Sequence, residues 1–198
     1  MTTKHFRNGG IAVDRSDPAI VTENKTGRAT APRIVGLRHV GMVAENPAAL
    51  ARFYEDVLGL QMVGGSGEEN PFGATAFLSG DPAEESHQIA IFTNPALRHI
   101  AFKVGTLADL RAAYTRIIDM GLPIKMAFNH GVSLAFYFED PEGNLVEVYW
   151  ATGMAFDQPY GDPLDLALPE EALRQEVEQL VRQASEQTPQ SLPFASAS

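Results

Sequence analysis

The chain has 198 residues, 44% of them apolar and 20% charged, which is the balance of a soluble globular protein with one ordinary core. A formal charge of −10 argues against nucleic acid or an anionic membrane as a partner, and the lack of cysteine excludes disulfides, thiolate metal sites and a cysteine nucleophile. No apolar run approaches the roughly 20 residues of a membrane span, and the first seven residues lack a secretory apolar stretch, so a cytoplasmic protein is expected.

Residues 1–36 carry six basic and three acidic residues and are rich in Thr, Asn, Gly and Pro. With little apolar periodicity they read as an extended arm, expected to exchange with a neighbouring copy in a homo-oligomer. Residues 37–151 hold seven basic and fourteen acidic residues and nearly every strong apolar pattern.

This central stretch repeats itself. Leu37-Arg38-His39-Val40 recurs 60 residues later as Leu97-Arg98-His99-Ile100. Leu50, Tyr54, Val57 and Leu58 then correspond, without a gap, to Leu110, Tyr114, Ile117 and Ile118. Each copy opens with an alternating, strand-like segment and continues as a helix. Asn46-Pro47 and Thr106 suit the helix starts, Gly59 and Gly121 the stops. Three short strands follow in each copy, near 61–63, 74–78 and 88–92 and near 124–128, 133–138 and 146–150. The fold class is therefore α+β, two tandem βαβββ modules at about 37–94 and 97–151. In residues 152–198, Pro169-Glu170-Glu171 suits the start of an amphipathic helix at about 169–185, with Leu173, Val177, Leu180, Val181 and Ala184 as its apolar stripe. After Ser185 the composition becomes that of a frayed end.

His39 and His99 hold equivalent places in the first strand of each copy. On an alternating strand, Leu37, His39 and Gly41 share one face, as do Leu97, His99 and Ala101. Packed by pseudo-symmetry, the two imidazoles meet across a shared cavity. Glu147 stands among apolar residues in Leu145-Val146-Glu147-Val148-Tyr149-Trp150, where an ionised carboxylate is costly unless paired or bound to metal. A lone strand histidine is ordinarily a core or edge residue, and a lone Glu ordinarily faces water. Two imidazoles and one carboxylate together are the ligand set of an open facial triad.

The repeated unit and the segment Asp140-Pro141-Glu142-Gly143-Asn144-Leu145-Val146-Glu147 resemble the vicinal oxygen chelate superfamily, over roughly residues 36–151. That superfamily includes glyoxalase I, fosfomycin-resistance enzymes, bleomycin-binding proteins and type I extradiol ring-cleaving dioxygenases. The resemblance implies a shared half-open barrel around a metal site. His130-Gly131-Val132-Ser133-Leu134-Ala135-Phe136-Tyr137-Phe138-Glu139-Asp140-Pro141 is similar to the extradiol signature. By that resemblance His39, His99 and Glu147 are the metal ligands, for Fe(II) or alternatively Mn(II). His130 and Tyr137 are hydrogen-bonding groups for substrate and oxygen, and His87, in Ser86-His87-Gln88-Ile89-Ala90-Ile91-Phe92, is the acid–base histidine. Read from composition alone, His87 is a surface residue of a Glu-rich turn, Glu84-Glu85-Ser86.

The implied activity is an extradiol dioxygenase acting on a catechol with O2. Two alternatives stay open: another metal-dependent enzyme of the fold, a thiol transferase or isomerase, and a non-catalytic aromatic-binding protein. The stretch 88–92 has no carboxylate for the fourth ligand of glyoxalase I, and no strong cationic patch suits a phosphonate. Phe72, Phe77, Phe128 and Phe156 are candidates for the cavity wall, and residues 150–160 for closing its mouth.

Overall fold

The structure, a computed structural model, describes residues 31–187. The expected arm lies outside the described residues as far as residue 30, and so does the end of the chain after residue 187.

The first module comprises β1 (Ile34–Val43), α1 (Pro47–Leu58), β2 (Gln61–Ser66), β3 (Thr75–Ser79) and β4 (Ile89–Phe92). A 3-10 turn, Pro95–Leu97, links it to β5 (His99–Val104), α2 (Leu107–Asp119), β6 (Ile124–Asn129), β7 (Ser133–Glu139) and β8 (Leu145–Ala151). A two-residue β9 (Asp162–Pro163) and α3 (Glu170–Gln187) complete the order. β1 begins three residues before the expected module start, within the stretch read as arm, and β9 has no strand pattern in the sequence.

Local chemistry places the helix ends. The Asn46 side chain accepts from the Ala49 amide at 2.9 Å, with Pro47 beside it, and α1 stops at Gly59, whose φ of 70° suits a residue without a Cβ. Thr106 Oγ1 accepts from the Asp109 amide at 3.0 Å and donates to the Asp109 carboxylate at 2.7 Å. α2 ends at Asp119, two residues before Gly121 turns the chain with φ 75°.

Among the described residues, nine strands form one sheet in the order β2-β3-β4-β1-β5-β8-β7-β6-β9. In each module the last strand runs parallel beside the first, as β1 with β4 and β5 with β8. The modules join where β1 and β5 pair antiparallel, which curls the sheet into a half-barrel with a pseudo-twofold at its middle.

Strand alternation sorts the side chains. Ala76, Leu78 and Ile91 pack outward with Ala51 of α1. Leu134, Phe136 and Val148 pack outward beneath α2 and α3, against Leu107, Leu110, Leu173 and Val177. Phe77, Phe92, Ala101, Ala135, Tyr137, Glu147 and Tyr149 belong to the opposite, concave side. No helix among the described residues is long and apolar enough to cross a membrane.

Candidate metal centre and active site

The three central strands, β1, β5 and β8, each deliver one buried polar side chain to the concave face: His39, His99 and Glu147, exposed by only 6%, 8% and 3%. Register explains the meeting. Ala101 on the middle strand pairs with His39 on one side and Glu147 on the other, and its small side chain lets the two flanking groups close over it. His99 precedes Ala101 by two residues and so shares its face.

The atoms converge. His39 Nε2 lies 3.1 Å from His99 Nε2 and 3.0 Å from Glu147 Oε2, and His99 Nε2 is 3.1 Å from the same oxygen. For metal–ligand bonds of about 2.1 Å, such edges subtend roughly 90°, the angle of one face of an octahedron. His99 Nδ1 donates to the Leu97 carbonyl at 2.7 Å, so in the neutral ring the Nε2 lone pair points at a carboxylate oxygen. A divalent cation between these atoms resolves that repulsion, and the N,N,O donor set suits Fe(II) or Mn(II). This is the one cluster among the described residues with ligand atoms close enough to share an ion.

Without a metal the same atoms hold together as an imidazole–carboxylate pairing, whose proton a bound cation would replace. Burial alone would raise the Glu147 carboxyl, but His39 and His99 hold it well below the ordinary range. Burial pulls His99 down, and the hydrogen bond and charge of Glu147, with the Leu97 carbonyl, outweigh it and leave His99 raised.

His87, His130 and Tyr137 line the same chamber as the three ligands. His87 lies in the loop between β3 and β4, its ring centroid 4.4 Å from that of His39 and 5.1 Å from that of Phe77. Burial, then the charge of His39, pushes its pKa well below the usual histidine value. His130, just beyond β6, donates through Nδ1 to the Tyr160 carbonyl, and its Nε2 stands 3.1 Å from the Tyr137 hydroxyl. Its pKa is lowered by burial, against the raising effects of Glu147 and the Tyr160 carbonyl. Burial, then the Glu147 charge, drives the Tyr137 phenol well above its usual range, so it remains protonated.

Beside the chamber a cavity of about 70 Å³ is walled mainly by Phe72, Phe77, Phe92, Leu97, Met126 and Phe128, with His99, His130 and Tyr137 on the metal side, and no lysine or arginine lines it. Phe72, Phe77 and Phe128 stand where the sequence suggests. Phe156 does not: it rests on Gly131, where a Cβ would lie 2.5 Å from its ring, and packs on Tyr160 with centroids 4.6 Å apart. The strap after β8 contributes Gln158, Pro159 and Tyr160 to the cavity lining. Gln158 Nε2 donates to the His130 carbonyl at 2.8 Å, and the Gly65 amide donates to the Gln158 carbonyl at 3.3 Å, tying the strap to both modules. The backbone carbonyl of Tyr160 that orients His130 has no sequence signal. From β4, Ala90 and Phe92 reach the chamber, and no carboxylate does.

The profile described as the Glyoxalase/Bleomycin resistance protein/Dioxygenase superfamily matches residues 36–148. Biphenyl-2,3-diol 1,2-dioxygenase 3 of Rhodococcus globerulus is 35% identical over 124 residues, which is 57% of this chain and 61% of that protein. Homoprotocatechuate 2,3-dioxygenase from Brevibacterium fuscum, solved as an anaerobic complex with 3,4-dihydroxyphenylacetate, is similar over 63% of this chain and 39% of its own. Its identity is 30% and its TM-score 0.50. The 2,3-dioxygenase LapB from Pseudomonas sp. KL28 shares the fold over 66% of this chain and 46% of its own, at 22% identity and a TM-score of 0.53. The chain thus spans about three fifths or less of the length of these relatives. With the paired modules, the curled sheet and a profile match over more than half its length, the chain belongs to the glyoxalase/bleomycin resistance protein/dioxygenase superfamily.

Proposed function

We propose that this protein is an extradiol dioxygenase that cleaves a catechol-type diol with O2, using Fe(II) held by His39, His99 and Glu147. The observation that carries the reading is the gathering of those three ligands with His87, His130 and Tyr137 in one chamber. The names of the relatives, all dioxygenases, support the reaction class.

The metal, when bound, supplies Lewis acidity toward the diol oxygens and electron transfer between ring and O2. The protein supplies the proton handling and the orientation. His87, neutral at pH 7, accepts a hydroxyl proton from the diol and returns it as the ring opens. Tyr137 keeps its proton and donates it in a hydrogen bond that orients a diol oxygen. His130, with its Nδ1 proton committed to the Tyr160 carbonyl, holds Nε2 3.1 Å from the Tyr137 hydroxyl, so the two act as one hydrogen-bonding pair facing substrate and oxygen. In the balanced reaction both atoms of O2 enter the product. The bond beside the diol breaks, the hydroxylated carbon becomes a carboxylate and its ring neighbour an aldehyde or ketone.

The largely aromatic and aliphatic wall, with no lysine or arginine to meet a carboxylate, supports a substrate that is an aromatic diol with an uncharged, apolar ring substituent. The test is anaerobic loading with Fe(II), followed by O2 and a panel of catechols bearing apolar or carboxylate substituents. One O2 consumed per diol, with a yellow ring-opened product from the apolar members, is expected. Bound iron without O2 uptake across the panel overturns the reading.

A further inference from the structure

In the exposed Glu-rich turn before His87, one carboxylate is turned inward. Glu85 is 7% exposed, at a place where a carboxylate persists only with partners. Both its oxygens are engaged by the other module. Tyr149 Oη donates to Oε1 at 2.6 Å, and Lys103 Nζ donates to Oε2 at 3.0 Å. Lys103 and Tyr149 are register partners on β5 and β8, so one carboxylate from the first module grips two adjacent strands of the second. The loop's own bonds add to the grip: Ser79 Oγ donates to the Glu85 carbonyl at 3.0 Å, and the Glu85 amide donates to the Asp81 carbonyl at 3.0 Å.

The grip acts beside the site. Tyr149 lies on the concave face two residues after Glu147, its ring 5.3 Å from that of His39. His87, two residues after Glu85, lies 4.4 Å from His39. Both the anchored tyrosine and the loop's histidine therefore pack on the same ligand ring. A buried ion pair adds little net stability compared with apolar packing; its established use is to specify one arrangement.

We infer that Glu85, clamped by Tyr149 and Lys103 across the module boundary, is a positioning residue that latches the β3–β4 loop so that His87 stands over His39. The consequence for proton transfer rests on the function proposed above; the latch itself does not. Without it, the loop spanning residues 80–88 keeps its own turns and the Gln88 backbone bonds to Val40 and Leu78 but loses its side-chain tie to the second module, and the imidazole samples positions away from the ligand ring.

The test uses two mild variants, Tyr149→Phe, which removes only the hydroxyl, and Glu85→Gln, which keeps the volume and an acceptor but breaks the ion pair. Hydrogen exchange across residues 80–88 of the iron-loaded chain is expected to quicken by about tenfold or more in both. With catechol and O2, kcat is expected to fall about tenfold while KM and iron content stay within about twofold. In a His87→Ala background the same substitutions are expected to change kcat less than about twofold, because a residue acting through His87 has nothing left to position. Unchanged exchange in the loop overturns the latch, whether or not the chain cleaves any diol. Quickened exchange with an equal loss of kcat in the His87→Ala background overturns the positioning role and leaves a structural one.

Discussion

A Cβ placed on Gly41 would lie 2.4 Å from His99 Nδ1 and 2.8 Å from the Leu97 carbonyl oxygen to which that nitrogen donates. His99 is thus seated in a space that exists because residue 41 has no side chain. The relation is one half of the pseudo-symmetry: His39 pairs with Ala101, and His99 lies against Gly41, so each imidazole faces the small residue two places after its counterpart. The rule is a matter of room, since both flanking strands must approach the metal position closely. Gly41→Ala is expected to push the His99 ring off the triangle and weaken Fe(II) binding at least about tenfold, with the fold retained. Fe(II) titration beside thermal unfolding checks this; undiminished affinity contradicts it.

The triangle of His39, His99 and Glu147 is expected to couple metal to stability, because an ion bound only by the folded chain stabilises it by mass action, about 2.7 kcal/mol at a hundredfold excess over Kd. A chelator is expected to lower Tm, and restored Fe(II) or Mn(II) to raise it again. Glu147→Ala removes one ligand and leaves two buried imidazoles, so its Tm is expected not to respond to metal. A metal response surviving in that variant contradicts the ligand assignment.

His87 touches the His39 ring but is not one of the converging ligands, so its loss is expected to affect the reaction and spare the metal. In His87→Phe the aromatic contacts are kept and the proton acceptor is gone. A fall in kcat of roughly 10²–10⁴ with full iron content is expected, the range of a general acid–base group. Measured iron content and single-turnover rates check it, and lost iron contradicts it.

The turn that leads into β8 carries a pH dependence of defined sign. The Asn144 side chain, then the Asn144 amide, hold the Asp140 carboxyl below its usual pKa, each bond being 2.9 Å long. A depressed folded-state value means a stabilising contribution that is complete above the ordinary aspartate value of about 3.9 and lost as pH falls through the depressed one. Asp140→Ala is therefore expected to be less stable than the unaltered chain at pH 7, with the gap closing in acid below about pH 4. Denaturant midpoints across pH 3–7 measure it, and a gap that widens in acid contradicts the assignment.

Much of the site was legible in the residues because it obeys short-range rules. The 60-residue recurrence of Leu-Arg-His pairs the modules, alternation puts His39, His99 and Glu147 on the concave face, and Asn46, Thr106 and Gly59 mark helix ends. What was not legible depends on partners distant in sequence. The Tyr160 carbonyl that orients His130 is a backbone atom with no residue signature. Glu85 shares the composition of a solvated turn with Glu84, and only the tertiary approach of Tyr149 and Lys103 separates the buried carboxylate from its exposed neighbour. Phe156 leaves the cavity wall because Gly131 offers its ring a surface without a side chain.

The most direct test of the central claim is single-turnover reaction of the iron-loaded chain with 18O2 and an apolar-substituted catechol, read by product mass. Both atoms of one O2 in a ring-opened product, lost in His39→Ala, are predicted. A product formed without label from O2, as isomerisation or thiol transfer would give, contradicts the account.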